Sequence, residues 1–236
     1  MAMTLDELVT QLKDAFGDAL RSVVLYGSAV AGEHIAKKSD YNILVVLDGV
    51  PLDRLAPVGA VLRAWGEGGN PAPMIFTEAE WKSSADVFPM EYADILERHR
   101  VLFGADPCDG ITVSRSDLRL EVEQQALGKL LHLRRGAMAA GVDEKAQIAL
   151  LEASLSALMV VFRGVSRLNG ETPPQDYGEL SRNIAAKAGF ESASFERVVR
   201  HVRGIAKLER GEAARVLTAY LAAMERLVAY LDRFTA

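Results

Sequence analysis

The sequence predicts an α+β fold: a small mixed β-sheet with flanking helices over residues 1–108, then an all-α helical bundle over 109–236. Three observations predict it. Two short apolar runs rich in Val, Leu and Ile, at 23–25 and 43–47, have the length and composition of buried strands. A turn-rich segment, Asp106-Pro107-Cys108-Asp109-Gly110, marks a boundary. Beyond it almost every periodic segment is helical.

Taken in order, Thr4 is a helix cap with Glu7 three residues on, and Leu5, Leu8, Val9, Leu12 and Phe16 follow at helical spacing. Gly17 loosens the end of that helix. A strand over 21–26 stops at Gly27-Ser28, and residues 28–35 form one or two helical turns. Asp40-Tyr41-Asn42 opens the second strand, 43–47. Pro51 starts a helix carrying Leu55, Val58, Val61, Leu62 and Trp65, broken by Gly66, Gly68, Gly69 and Asn70. A third strand lies over 73–77. Thr77 then caps a short helix with Glu80 in the capping-box position, so Glu78 and Glu80 read as helix-start acids. Pro89 opens a helix through Glu97, on which Glu91 and Asp94 read as solvated. Residues 101–104 form a last short strand.

The bundle comprises four or five antiparallel helices. Leu120, Leu127, Leu130 and Leu131 mark the first. Asp143 caps the second, with Ile148, Leu151, Leu155, Leu158 and Phe162 inward. A short helix over 177–188 stops at Gly189. Ser194 starts the next, with Phe195, Val198, Val199, Val202 and Ile205 on one face. Leu217, Tyr220, Leu221, Met224, Leu227, Val228 and Leu231 mark the last. Arg197, Arg200, Arg203, Lys207 and Arg210 recur opposite an apolar face and read as a solvated face diluted by Glu196 and Glu209.

Composition narrows the function classes. The net charge of −5 gives no global attraction to nucleic acid or to an anionic membrane. Cys108 is the only cysteine, which excludes an intrachain disulfide and a multi-cysteine zinc site. The N-terminus is acidic and amphipathic, unlike a signal peptide, and the apolar run 153–162 is too short to span a bilayer, so a cytoplasmic location without membrane partners is expected. Neither a Walker loop, nor a dinucleotide glycine fingerprint, nor a Gly-x-Ser-x-Gly elbow occurs. His34, His99, His132 and His201 are scattered.

The chemistry concentrates in 26–47, YGSAVAGEHIAKKSDYNILVVL. A tight Gly27-Ser28 turn at a helix start presents backbone N–H groups suited to phosphate. Asp40 and Asn42, two apart on a strand, share one face. Lys37 and Lys38 just upstream can attract a triphosphate. An apolar strand, Gly-Ser, a spacer and an acid-led second strand resemble the signature of the polymerase-beta-type nucleotidyltransferase superfamily, over roughly 20–105. Gly27, Ser28, Gly32, Ser39 and Asp40 fall where that pattern puts them. The subgroup it looks most like is the kanamycin-nucleotidyltransferase-like and minimal nucleotidyltransferases, which often carry a helical C-terminal domain.

The resemblance implies a nucleoside triphosphate at Gly27, Ser28, Ser39 and Lys38, with Asp40 and the position of Asn42 as the catalytic metal-binding pair and Mg²⁺ as the metal. It also implies a third carboxylate on a later strand and a homodimer. This sequence departs from the pattern in two ways. Its motif is Asp-x-Asn, so Asn42 puts a neutral amide where the family has a carboxylate, and two-metal chemistry uses that charge to hold ions about 4 Å apart. The strand at 73–77 supplies no third acid.

Three readings follow: a nucleotide-binding protein whose nucleotidyl transfer is weakened or lost; an active, metal-dependent nucleotidyltransferase acting on a small-molecule or protein hydroxyl; and a non-enzymatic, antitoxin-like interaction module that binds a protein partner through its bundle. A long exposed apolar patch on the bundle would favour the last.

Overall fold

The computed structural model describes residues 3–31, 41–50 and 52–235. The chain divides into two compact units, Met1–Ser114 and Arg115–Ala236.

The first unit is built on four strands: β1 (Leu20–Tyr26), β2 (Asn42–Leu47), β3 (Met74–Thr77) and β4 (His99–Gly104). Their order is β3-β2-β1-β4, with β1 antiparallel to both neighbours and β2 parallel to β3, so the sheet is mixed as expected. Alternation sorts the apolar residues onto two faces. Val23, Leu25, Ile43, Val45 and Leu47 pack with Leu8, Leu12 and Phe16 of α1 (Leu5–Phe16) and with Val58 and Trp65 of α2 (Leu52–Glu67). On the other face Val24, Leu44 and Val46 pack with Trp81 of α3 (Glu78–Ser83), with Tyr92 and Ile95 of α4 (Pro89–Glu97), and with Cys108. The Trp81 and Tyr92 rings stack 4.1 Å apart, and the Trp81 indole donates to the Pro107 carbonyl at 2.7 Å.

The capping boxes read from Thr4 and Thr77 both form. Strand β4 ends at Gly104 because only glycine fits there. Its φ is +80°, and an added Cβ would lie 1.8 Å from the Arg21 carbonyl oxygen on β1.

The second unit is helical: α5 (Arg115–Ala140), α6 (Glu144–Leu168), α7 (Tyr177–Ala188), α8 (Ala193–Val202) and α9 (Ala213–Asp232). Asp143 and Asp176 cap α6 and α7, and Gly189 ends α7 in the left-handed conformation. Phe162, Phe195 and Tyr220 form an aromatic centre with ring spacings of 4.9 and 4.1 Å.

Three expectations for this unit change. On α5 the buried positions are Leu118, Val122, Ala126, Leu130 and Leu133. Leu120, Leu127, Leu131 and Met138 are exposed instead. At 100° per residue these four fall within about 40° of arc, forming one outward stripe. Helix α8 stops at Val202, with Gly204 at φ +71°, so Ile205 leaves the apolar face and is exposed, as is Val202. The arginine series is correspondingly no single helical face: Arg197 binds Glu212 and the Ala206 carbonyl, and Arg203 binds Asp176. Finally, α6 is long and apolar enough to cross a membrane, unlike the run read from sequence. Leu151, Leu155, Leu158, Phe162 and Val165 of this helix are buried within this unit, while Val160 is exposed.

Candidate active site

The corner where β1 ends draws residues from three elements. Gly27 follows β1 at φ +77° and opens a 3-10 turn, Gly27–Ala31, in the stretch expected to form one or two helical turns; the rest of that stretch, 32–35, lies outside the described residues. Its N–H donates to the Arg98 carbonyl at 3.2 Å, which ties the turn to the start of β4. That donor is therefore engaged.

Strand register sets what surrounds the turn. Tyr26 pairs with Asn42 on one side and with His99 on the other, so these three side chains share a sheet face. This is the face covered by α4. A Cβ added at Gly27 would lie 3.2 Å from Asn42 Nδ2 and 3.9 Å from Asp94 Oδ2. Asn42 and the α4 carboxylate thus flank the same point from opposite elements. Asp94 is half-buried, which corrects its reading as a solvated helix acid. The sequence signal was its place four residues after Met90, whose side chain is buried, putting both on one side of α4.

The corner is electronegative. The Tyr26 hydroxyl is pushed up to about 12, first by burial and then by the charges of Asp94 and Glu91. It meets Met74 Sδ at 3.1 Å. Of the residues predicted for the site, the structure brings together Gly27 and Asn42. Ser28 occupies the second position of the 3-10 turn. Asp40, Ser39 and Lys38 lie outside the described residues, as do Lys37 and His34. Tyr41, next to Asp40, donates its N–H to Asn70 Oδ1 at 3.1 Å, anchoring the entry to β2.

One group with metal-ligand donors, His99, Asp106 and Cys108, occurs among the described residues, its donor atoms within 4.8 Å of one another. His99 Nε2 lies 3.0 Å from the Asp106 carboxylate, and Nδ1 lies 2.9 Å from the Ile95 carbonyl. Burial, together with Asp106 and Asp109, pushes the Cys108 thiol up to about 12, so the sulfur stays protonated. Mg²⁺ takes oxygen ligands, so this N, O and S set does not suit it. The group ties β4 to the turn after it.

No family model matches the chain, and no curated protein does. Among solved structures, the crystal structure of spectinomycin adenyltransferase AAD(9) from Enterococcus faecialis with ATP and spectinomycin is similar. It matches at a TM-score of 0.60 and 12% identity, covering 95% of this chain and 99% of that one. At that identity the likeness is one of fold, and the chain has the nucleotidyltransferase fold followed by a helical bundle.

Proposed function

We propose that the protein binds a nucleoside triphosphate at the Gly27-Ser28 turn, with Ser39 and Lys38 on its phosphates, and that nucleotidyl transfer is weakened because Asn42 replaces a metal-binding carboxylate. The observation that carries this reading is the meeting of Asn42 and Asp94 at Gly27. The donors available there are two carboxylates, Asp40 by its sequence position and Asp94, and one amide oxygen. That set fits one Mg²⁺ and is short of charge for two. When bound, the ion would neutralise phosphate charge. Asp40 and Asp94 would hold it, and Asn42 would orient through its neutral oxygen.

A second reading, active nucleotidyl transfer, is favoured by Asp94. A carboxylate beside Gly27 is the acid that the sequence lacked on a strand. As general base, Asp94 would take the proton of an acceptor hydroxyl while the hydroxyl oxygen bonds to the α-phosphorus, and pyrophosphate leaves. The similar adenyltransferase was crystallised with ATP and spectinomycin, which supports a small-molecule hydroxyl as acceptor. The third reading, an antitoxin-like module, draws support from the α5 stripe of Leu120, Leu127, Leu131 and Met138. A homodimer could use the same stripe.

Calorimetric titration of each nucleoside triphosphate, with and without Mg²⁺, tests binding. Pyrophosphate release from wild type, Asn42→Asp and Asp94→Asn tests turnover. Weakened transfer predicts Mg²⁺-dependent binding by wild type and a gain of at least about tenfold in release for Asn42→Asp. Efficient release by wild type, lost in Asp94→Asn, selects the second reading. No binding by any variant removes both nucleotide readings and leaves the interaction module.

A further inference from the structure

Helices α5 and α6 pass closely at Gly136, where an added Cβ would lie 2.5 Å from Leu150 Cδ1. Beside that contact the two helices part around a cavity of about 420 Å³. This volume is within the usual range for small-molecule sites. Leu133, Leu150, Ala157 and Leu158 form its apolar wall. Gly128, with no side chain, leaves one side open. Ser154 supplies a hydroxyl, hydrogen-bonded at 3.0 Å to the Leu151 carbonyl and at 3.4 Å to Tyr220 Oη.

The cationic side is the informative one. Lys129, His132 and Arg135 line the cavity from α5, and none of the three enters an ion pair or hydrogen bond among the described residues. Other basic residues of the same helix are engaged: Arg115 with the Leu168 carbonyl, Arg119 with Glu123 and the Phe234 carbonyl, Arg134 with Glu225. Among the described residues no carboxylate lines the cavity. An apolar wall beside two unpaired cations and an imidazole is complementary to a molecule with an apolar body and an anionic head.

We propose that this cavity in the helical unit binds a small amphipathic organic anion, its apolar body against Leu133, Leu150 and Leu158 and its carboxylate or phosphate on Lys129 and Arg135. The site lies wholly within the second unit and stands independently of nucleotide binding at Gly27.

The test uses the full chain, titrated calorimetrically with decanoate, decyl phosphate, inorganic phosphate and decyltrimethylammonium below their micellar concentrations. Saturable one-site binding of decanoate or decyl phosphate is expected, and whichever is tighter identifies the head group. Inorganic phosphate and the cationic amphiphile should bind at least about tenfold more weakly. The Lys129→Gln/Arg135→Gln double variant should lose at least about tenfold in affinity at unchanged melting temperature, since neither side chain has a partner to lose. Ala153→Phe, at an exposed position lining the cavity, should block it. Leu127→Gln, on the outward stripe, should bind as wild type does. Equal binding of the cationic amphiphile, undiminished binding by the double variant, or no binding of either anion would overturn the proposal.

Discussion

Three glycines with nearly the same φ but different surroundings give a graded test of the first unit. Gly110 and Gly27 both sit at φ +77°, and Gly104 at +80°. A Cβ at Gly110 meets nothing within 4 Å; one at Gly27 meets Asn42 Nδ2 at 3.2 Å; one at Gly104 meets the Arg21 carbonyl oxygen at 1.8 Å. Alanine in the left-handed region costs about 1–2 kcal/mol, offset by about 0.4–1 kcal/mol from a stiffer unfolded chain. Gly110→Ala should therefore destabilise by about 1 kcal/mol or less. Gly27→Ala adds a displacement of the Asn42 amide by a few tenths of an ångström, for about 1–2 kcal/mol in total. Gly104→Ala cannot keep its backbone against β1 and should lose about 3 kcal/mol or more. Trp65 and Trp81 are the only tryptophans, and they sit in the two cores on opposite faces of the sheet. Urea melts followed by tryptophan fluorescence thus report this unit alone. With a slope of about 1–3 kcal/mol per molar, the midpoints should fall in the order Gly110→Ala, Gly27→Ala, Gly104→Ala. Equal shifts for all three would refute the assigned close approaches.

Two further outcomes are expected. At pH 8 the Cys108 thiol, pushed up to about 12, should react with iodoacetamide roughly a thousandfold more slowly than a free thiol, and at the ordinary rate in urea; a mass-spectrometric time course checks this. The Glu212 carboxyl is held below the usual range by the Arg197 hydrogen bond, and that of Asp176 by the Glu179 N–H and then Arg203. A lowered folded pKa gives stability that is present above the unfolded value, about 4, and is lost as pH falls through the folded one. Urea melts of the helical unit by circular dichroism should therefore weaken below about pH 4, and Glu212→Gln should flatten that slope.

Local signals carried much of the fold. Thr4 and Thr77 capped as read because a capping box involves four neighbouring residues and no tertiary contact. The two strands flanking Gly27 were legible from their apolar runs, since strands buried on both faces lack polar positions. Long-range facts were not legible. Leu127 and Leu131 have helical spacing, yet the bundle took Ala126, Leu130 and Leu133 instead; periodicity gives a face and does not say which way it turns. In the sequence Asp94 reads as a solvated helix acid, and only the docking of α4 against Tyr26 brings its carboxylate to Gly27.

The identity of residue 42 then bears on stability as well as on chemistry. The corner already carries Asp94 and Glu91 close enough to raise the Tyr26 hydroxyl. Asn42 Nδ2 and Asp94 Oδ2 both contact the Gly27 Cβ position, so they are no more than about 7 Å apart, a separation at which two carboxylates repel by about 1–2 kcal/mol at partly screened protein dielectric. A second acid there is tolerable when a cation sits between the charges, whereas a neutral amide keeps the corner folded without one. Asn42→Asp should accordingly destabilise the metal-free protein by about 1–2 kcal/mol, and millimolar Mg²⁺ should restore it. Tryptophan-monitored urea melts of wild type and variant, with EDTA and with Mg²⁺, measure both effects. Wild type should respond less to Mg²⁺ than Asn42→Asp does. A variant as stable as wild type in EDTA would mean that Asp94 does not act on residue 42, and the argument that Asn42 relieves charge at this corner would fail.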